Sequence, residues 1–373
     1  MPRCHMQHIT DTGPDFGRAQ RDFLIHLHRD LQSGIRRPLS HYISQDPDNA
    51  TAIEREYQHL LADPTEHAAD DCNLHATCGR YQFLRELGRG GQAQVLLARD
   101  TQTSQLVAIK QLSQRHSRQP RRRTAFAREV EIAKRLDHPD LCRVLDHDLD
   151  CPQPYAVLEW VPGRTLHECL QTGAAPKARP HAQSSAAGSA CFARPGTRGE
   201  RTRLLHLLAR IAMAVHFMHS AQVAHHDLKP ANLMVTPSGS PCVIDFGLAR
   251  DLHSDRGHHQ RVPQGTLAYM APEQWLTPDT AHARADLFAL GVITFECVTG
   301  RRPFPWRDPE ERLAAVRSGL PEMTDDLLPR PLQSVLEQAT AEQPTDRHVS
   351  AAVFASQLLR AAGPVLGTVQ STA

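Results

Sequence analysis

The 373-residue sequence contains no apolar run approaching the roughly 18–20 residues that a membrane-spanning helix needs. Its opening, MPRCHMQHITDTG, lacks the apolar core of a secretory signal, so a cytoplasmic location is expected. Net charge is nearly absent as well. With 42 Lys and Arg against 41 Asp and Glu, the balance is +1, which points to neither a nucleic-acid nor a membrane partner. The nine cysteines are odd in number, run from Cys4 to Cys297 and include no CxxC pair, which argues for reduced thiols rather than a disulfide framework. The nearest approach to a metal-cysteine motif, Cys72, His75 and Cys78 in DDCNLHATC, has no matching fourth ligand. No aromatic series is interleaved with basic residues, so nucleic acid is not expected as a partner. The one basic run, RHSRQPRRR (Arg115, Arg118 and Arg121 to Arg123), reads as a solvated loop, with docking of acidic or phosphorylated segments as the second reading.

What is present is an ordinary globular composition, 40% hydrophobic and 22% charged, long enough for one large domain or two modest ones. Residues 1–80 read as a helical extension. Phe23, Leu27 and Leu31 make one apolar stripe, and Ile53, Tyr57, Leu60 and Leu61 make another beyond Pro38. From Tyr81 the texture changes. YQFLRELGRGGQAQVLLARD alternates around a glycine cluster, LVAIKQL and PYAVLEWV read as further strands, and RTAFAREVEIAKRLD places Phe126, Val130 and Ala133 at helical spacing. Residues 172–199, rich in Ala, Ser, Gly and Pro, read as a flexible insertion. Beyond it Leu204, Leu208, Ile211, Val215 and Met218 form a helical stripe, and DLFALGVITFECV (286–298) is apolar on nearly every face, the mark of a fully buried helix.

Three stretches carry chemistry. In LGRGGQAQV, Gly88, Gly90 and Gly91 lie between two strands, where missing Cβ atoms let backbone N–H groups approach phosphate oxygens. A dinucleotide loop would need a helix next, whereas here another strand comes after and brings Lys110 on the apolar run VAIK, with Glu129 on the next helix able to pair with it. In VAHHDLKPANLMV, Asp227 is placed to accept a hydroxyl proton, Lys229 to steady a transferred phosphoryl group and Asn232 to bind a metal. VIDFGLAR then adds Asp245 at a strand end. One carboxylate and one amide are hard oxygen ligands that suit Mg2+.

In this order the motifs GRGGQA, VAIK, Glu129 with HPDL nine residues later, HHDLKPAN, DFG and GTLAYMAPE resemble the protein kinases, specifically the bacterial serine/threonine kinases of eukaryotic type, from about residue 81 to about 360. The resemblance implies an α+β, bilobal fold: a small, mainly antiparallel β lobe with one helix (81–162) and a larger helical lobe (163–362), followed by a tail (363–373). It implies ATP and Mg2+ as cofactors and Ser/Thr-bearing proteins as substrates. Leu87, Gly88, Gly90 and Val95 would cover ATP, with Ala108 and Leu233 on either side of the adenine. Glu159 and Val161 would offer it backbone hydrogen bonds behind Leu158. Lys110, kept in register by Glu129, would hold the α- and β-phosphates. Asp227 would be the catalytic base, assisted by Lys229, while Asn232 and Asp245 hold the metal. Lys229 together with Thr266 favours Ser/Thr over Tyr acceptors. Glu273 and Arg347 would form a buried ion pair, and Asp286 would anchor the loop around Asp227.

Two positions depart from the family pattern. Ala93 stands where a third glycine is usual, and His226 stands where an arginine usually binds a phosphate on the activation segment. Histidine is charged only part of the time near neutrality and lacks the guanidinium fork. Within 245–273 only Ser254 and Thr266 carry aliphatic hydroxyls, so a weak clamp coincides with few sites to clamp. The expectation is intact chemistry under different regulation. The rival is a pseudokinase or scaffold that works through its N-terminal helices.

Overall fold

The computed structural model describes residues 77–171, 197–236, 238–247, 249–251, 267–276, 283–304, 309–323 and 328–363. It also describes 37–45 and the single residues 47, 50, 54 and 195. Both apolar stripes expected before residue 80, Cys72 and His75, most of 172–199, Ser254 and Thr266 lie outside the described residues. The chain divides into two units. One comprises residues 1–71 with 306–312, and its described part holds a short helix α1 (Leu39–Ile43) with Tyr42 buried. The other comprises residues 72–305 and 313–373.

The second unit begins with a six-stranded antiparallel sheet: β1 (Thr77–Cys78), β2 (Tyr81–Arg89), β3 (Ala93–Asp100), β4 (Leu106–Leu112), β5 (Val144–Asp148) and β6 (Tyr155–Glu159), in the order β1-β2-β3-β4-β6-β5. The period-2 alternation sorts its side chains. Leu96, Ala98, Val107, Ile109, Tyr155 and Val157 face one way and pack with Tyr81 and Phe83. Ala156 faces the other way and packs with Leu112 against Phe126 and Val130 of helix α3. A single turn α2 (Gln114–Ser117) leads into α3 (Pro120–Lys134). The basic run expected to be a loop is therefore helical: Pro at the first position of α3 is pre-set for a helix start, and Arg123 is tied down by the carbonyls of Leu149, Cys151 and Pro152.

Gly163 joins the sheet to the helical part of the unit. Its φ of +139° and a Cβ that would lie 2.1 Å from the Val235 carbonyl oxygen leave room for glycine alone. Next come β7 (Arg164–Thr165), α4 (Leu166–Gln171) and α5 (Arg198–Ser220). The insertion read as ending at residue 199 gives way two residues sooner. Thr197 caps α5 by accepting from the Glu200 N–H while the Glu200 carboxylate accepts from the Thr197 N–H, a local signal that outweighs the surrounding composition.

The five stripe residues on α5 are all buried. Small strands come after it: β8 (Val223–Ala224), β9 (Leu233–Val235), β10 (Pro241–Val243) and β11 (Arg250–Asp251), with β10-β9-β7 forming one sheet and β11-β8 another. After α6 (Pro272–Leu276) comes α7 (Arg284–Thr299), buried on every face for most of its length, then α8 (Pro309–Ser318), of which residues 309–312 belong to the first unit, α9 (Arg330–Ala339) and α10 (Ala351–Ala362). Gly291 of α7 lets α9 come close, since an added Cβ would sit 2.8 Å from the Thr340 methyl and 2.9 Å from Ala339 Cβ. The core of this part is one continuous apolar cluster drawn from α5, α7, α9 and α10. No described helix is long and apolar enough to cross a membrane.

Candidate active site

The strand register places the first group of site residues. Gly88 pairs with Val95, Val95 with Lys110, and Lys110 with Ala156, so the glycine turn and the lysine share one line across the sheet. Ala108, two residues before Lys110, lies on the same face and pairs with Leu158. Leu87 is exposed, and a Cβ at Gly88 or Gly91 would meet nothing within 4 Å, leaving open space over that face. Ala93 sits at the start of β3, where its carbonyl accepts from the Gly90 N–H at 2.9 Å. Its φ is not positive, so a methyl group is accommodated there.

Lys110 Nζ donates to Glu129 Oε1 at 2.5 Å and to Asp245 Oδ1 at 2.7 Å. Burial disfavours the ammonium, but the Asp245 and Glu129 carboxylates outweigh it and push its pKa above the ordinary lysine range. Loss of solvation works against the Asp245 carboxylate too, yet Lys110, with help from Lys229, holds it at about 2. Glu129 goes the other way: burial raises its pKa, and Lys110 offsets only part of the rise. Asp245 is thus the firm anion and Glu129 the adaptable one.

The β9–β10 hairpin brings the second group together. Leu233 pairs with Val243, and the Ile244 N–H donates to the Asn232 carbonyl at 2.9 Å, so Asn232 just before the hairpin and Asp245 just after it emerge side by side. Asn232 Nδ2 donates to the Asp227 carbonyl at 2.9 Å and to Asp227 Oδ2 at 3.2 Å, while Lys229 Nζ donates to the same Oδ2 at 2.8 Å. Asp227 Oδ1 is buried and accepts nothing from the described residues. One carboxylate oxygen is held and the other is available, the arrangement a proton acceptor needs. Leu233 is fully buried at the start of β9.

The loop around Asp227 hangs from α7. Asp286 Oδ2 accepts the His225 N–H and Oδ1 the His226 N–H, both at 2.8 Å, and His219 Nε2 lies 2.8 Å from Oδ2. Burial would raise the Asp286 pKa, but the hydrogen bond and charge of His219, with His226 and His225 behind it, bring it to about 2. His226 has a φ of +61° and its carbonyl accepts from Gln274 Nε2 at 3.1 Å. Its hydrogen bonds to Asp286 and Gln274 both come from its backbone, and histidine is among the residues that tolerate the left-handed region. Asp245, with φ +65°, is held in the same region. The His225 ring packs against Phe246 with centroids 5.8 Å apart, and its Nδ1 lies 3.2 Å from the Asp227 N–H.

At the end of β6 the Glu159 N–H donates to the Arg143 carbonyl at 2.9 Å, and its carbonyl accepts the Cys142 thiol at 3.5 Å. The Arg143 guanidinium also pairs with the Glu159 carboxylate at 3.0 Å. Of the two residues expected to meet adenine, Glu159 already has partners for both backbone groups. Val161 makes no backbone hydrogen bond to any described residue. Residue-type reasoning passed over His219, Gln274, Cys142 and Arg143. Each acts through a partner at least 16 positions away, so no local pattern marks it.

A family model described as "Protein kinase domain" matches residues 81–361. The chain is 31% identical over 279 residues to the serine/threonine-protein kinase PrkC of Bacillus subtilis, covering 73% of this chain and 39% of that protein. It is 36% identical over 233 residues to the probable serine/threonine-protein kinase SCO3848 of Streptomyces coelicolor, covering 61% and 31%. Against the serine/threonine-protein kinase PknB of Mycolicibacterium smegmatis it is 30% identical over 297 residues, covering 75% and 43%. The chain therefore spans less than half the length of these relatives. With the bilobal α+β fold, the ordered motifs and the matched residues in agreement, the chain belongs to the protein kinase family, among its bacterial serine/threonine members of eukaryotic type.

Proposed function

We propose that this chain is a serine/threonine protein kinase, transferring the γ-phosphoryl group of ATP to Ser or Thr hydroxyls of protein substrates. The observation that carries the reading is Asp227: one buried oxygen without a partner, the other fixed by Lys229 and Asn232. Asp227 Oδ1 would take the hydroxyl proton as the acceptor oxygen bonds to the γ-phosphorus and the bond from that phosphorus to the β,γ-bridging oxygen breaks, releasing ADP, and Lys229 would neutralise charge beside it. The open space above Gly88 and Gly91 supports a phosphate cover by Leu87, Gly88, Gly90 and Val95. Lys110, positioned by Glu129, would meet the α- and β-phosphates. Ala108 and Leu233 would bracket the adenine, and the backbone of Val161, next to Leu158 and Glu159 and without a partner among the described residues, would bind its edge. Asn232 and Asp245 fit Mg2+ by donor type, a neutral amide oxygen and a firmly ionised carboxylate. When bound, the metal supplies charge neutralisation on the phosphates.

The test is transfer of labelled γ-phosphate from Mg·ATP to the protein and to a generic basic substrate, with Asp245→Asn and Lys110→Met alongside. Label with the wild type and none with either variant is expected. Absence of label from wild type that still binds ATP would replace this reading with a pseudokinase.

We further propose that turnover does not require a phosphate on the activation segment. The backbone of His226 bonds to Asp286 and Gln274, so the loop of Asp227 is held by contacts that involve no phosphate. Ser254→Ala should leave turnover unchanged in the same assay, and its loss would overturn this point.

A further inference from the structure

Residues 101–128 contain seven Lys or Arg and no Asp or Glu, in a chain whose overall charge is only +1. Lys110 and Arg123 are firmly engaged. Lys110 is bound in the cleft, and Arg123 is spent on three backbone carbonyls. Arg115 on α2, Arg118 at its end and Arg121 in the first turn of α3 are different. They succeed one another at intervals of three, with Arg118 in the turn between the two helices, all are exposed, and no guanidinium among them forms a hydrogen bond or ion pair with a described residue. In sequence they flank the start of α3, whose N-cap residue Gln119 makes no side-chain cap bond and whose first turn holds no acidic residue. The positive end of the helix dipole and three guanidinium groups thus reinforce one another, with no acidic residue in that first turn. The platform beneath is fixed, because Arg123 ties the first turn of α3 to the β5–β6 connection.

We propose that Arg115, Arg118 and Arg121 form a docking surface for a phosphorylated segment of a protein substrate. A phosphate group matches the site better than a carboxylate does. It carries nearly two charges and three acceptor oxygens, and guanidinium forks bind it in a bidentate way. That the docked protein is a substrate rests on the kinase reading; the docking itself does not. A segment already phosphorylated would be held on the lobe that carries Lys110 while another hydroxyl of the same protein reaches Asp227. The effect would be on capture rather than on the chemical step.

The direct test is fluorescence anisotropy of the whole chain with a labelled peptide bearing phosphoserine between aspartates. Its unphosphorylated counterpart and duplex DNA serve as the other probes. Wild type should prefer the phosphopeptide, and Arg115→Glu/Arg118→Glu/Arg121→Glu should weaken binding by at least about tenfold. A triple Arg→Gln variant, which removes charge without reversing it, serves if the Glu variant loses its thermal transition. Equal binding of both peptides, equal binding by wild type and variant, or tighter binding of DNA than of phosphopeptide through the same arginines would each overturn the proposal. In a kinase assay, the variant should raise KM for a phosphoserine-primed substrate and leave kcat and the KM of an unprimed peptide unchanged. A change in kcat would overturn it. Because the anisotropy needs no turnover, an inactive protein that still selects the phosphopeptide would defeat the kinase reading alone.

Discussion

Two charged clusters, one in the helical part of the chain and one in its cleft, show how differently ion pairs are used. Arg347 is wholly buried and has a partner for every N–H: two to Glu273 at 2.6 and 2.8 Å, the others to the carbonyls of Ala341, Arg284 and Glu342. Its guanidinium also lies over the Phe288 ring, 5.1 Å from the centroid. Lys110, Glu129 and Asp245 are just as close to one another, yet Asp245 keeps 41% of its side chain exposed, and nearby Asp227 keeps an oxygen without a partner. The first cluster is complete and does nothing further. The second is incomplete, and its spare donors and acceptors are what a ligand would meet. The difference lies in completeness, not in charge or distance.

The sharpest way to separate the clusters is to remove one group from each and measure both stability and turnover. Asp227→Asn keeps the shape and removes the carboxylate proposed to accept the proton. It should lower kcat by about 10²- to 10⁴-fold with little change in urea midpoint. An unchanged kcat would remove Asp227 from the chemistry. Arg347→Ala should do the reverse, costing about 3–5 kcal/mol of folding stability because it removes the guanidinium that pairs with the buried Glu273 carboxylate. Lys110→Met should cost less than half as much, since Glu129 can take up a proton and Asp245 reaches solvent. Equal losses in urea titrations would erase the distinction between the clusters.

A graded effect is expected with pH. The Asp286 carboxylate, at about 2 in the folded chain against an ordinary value of about 3.9 unfolded, contributes its stabilisation fully above pH about 4. That contribution, about 2–3 kcal/mol, is lost as pH falls through about 2. The stability gap between wild type and Asp286→Asn should therefore narrow steadily as urea melts are repeated at falling pH. A gap independent of pH would mean that Asp286 acts only by shape.

Much of the fold and the site is legible in the sequence because the relevant signals are local. The alternation around Gly88 to Gly91, the apolar strand bearing Lys110, and the stripes of α3 and α5 are short-range patterns, and each appears as an element where the pattern places it. The basic run 115–123 is not legible as helix. A cluster of arginines with proline looks solvated, and the contacts that fold it, from Arg123 to carbonyls about 26 residues away, leave no local trace. The end of the 172–199 stretch differs from its composition for the opposite reason: a capping box of four residues is a stronger determinant than average composition.

By itself the sequence determined which chemical groups are present and in what order, because residue type sets hydrogen-bonding capacity and charge before any folding. It also determined the local elements, through period and capping. Only the tertiary structure decided which groups meet. The β9–β10 hairpin sets Asn232 beside Asp245, α7 lends Asp286 to hold the loop of Asp227, and burial leaves Asp227 Oδ1 bare while it satisfies Arg347 completely. The reason is physical: a carboxylate's role depends on its partners and its access to water, and packing sets both across long distances in the chain.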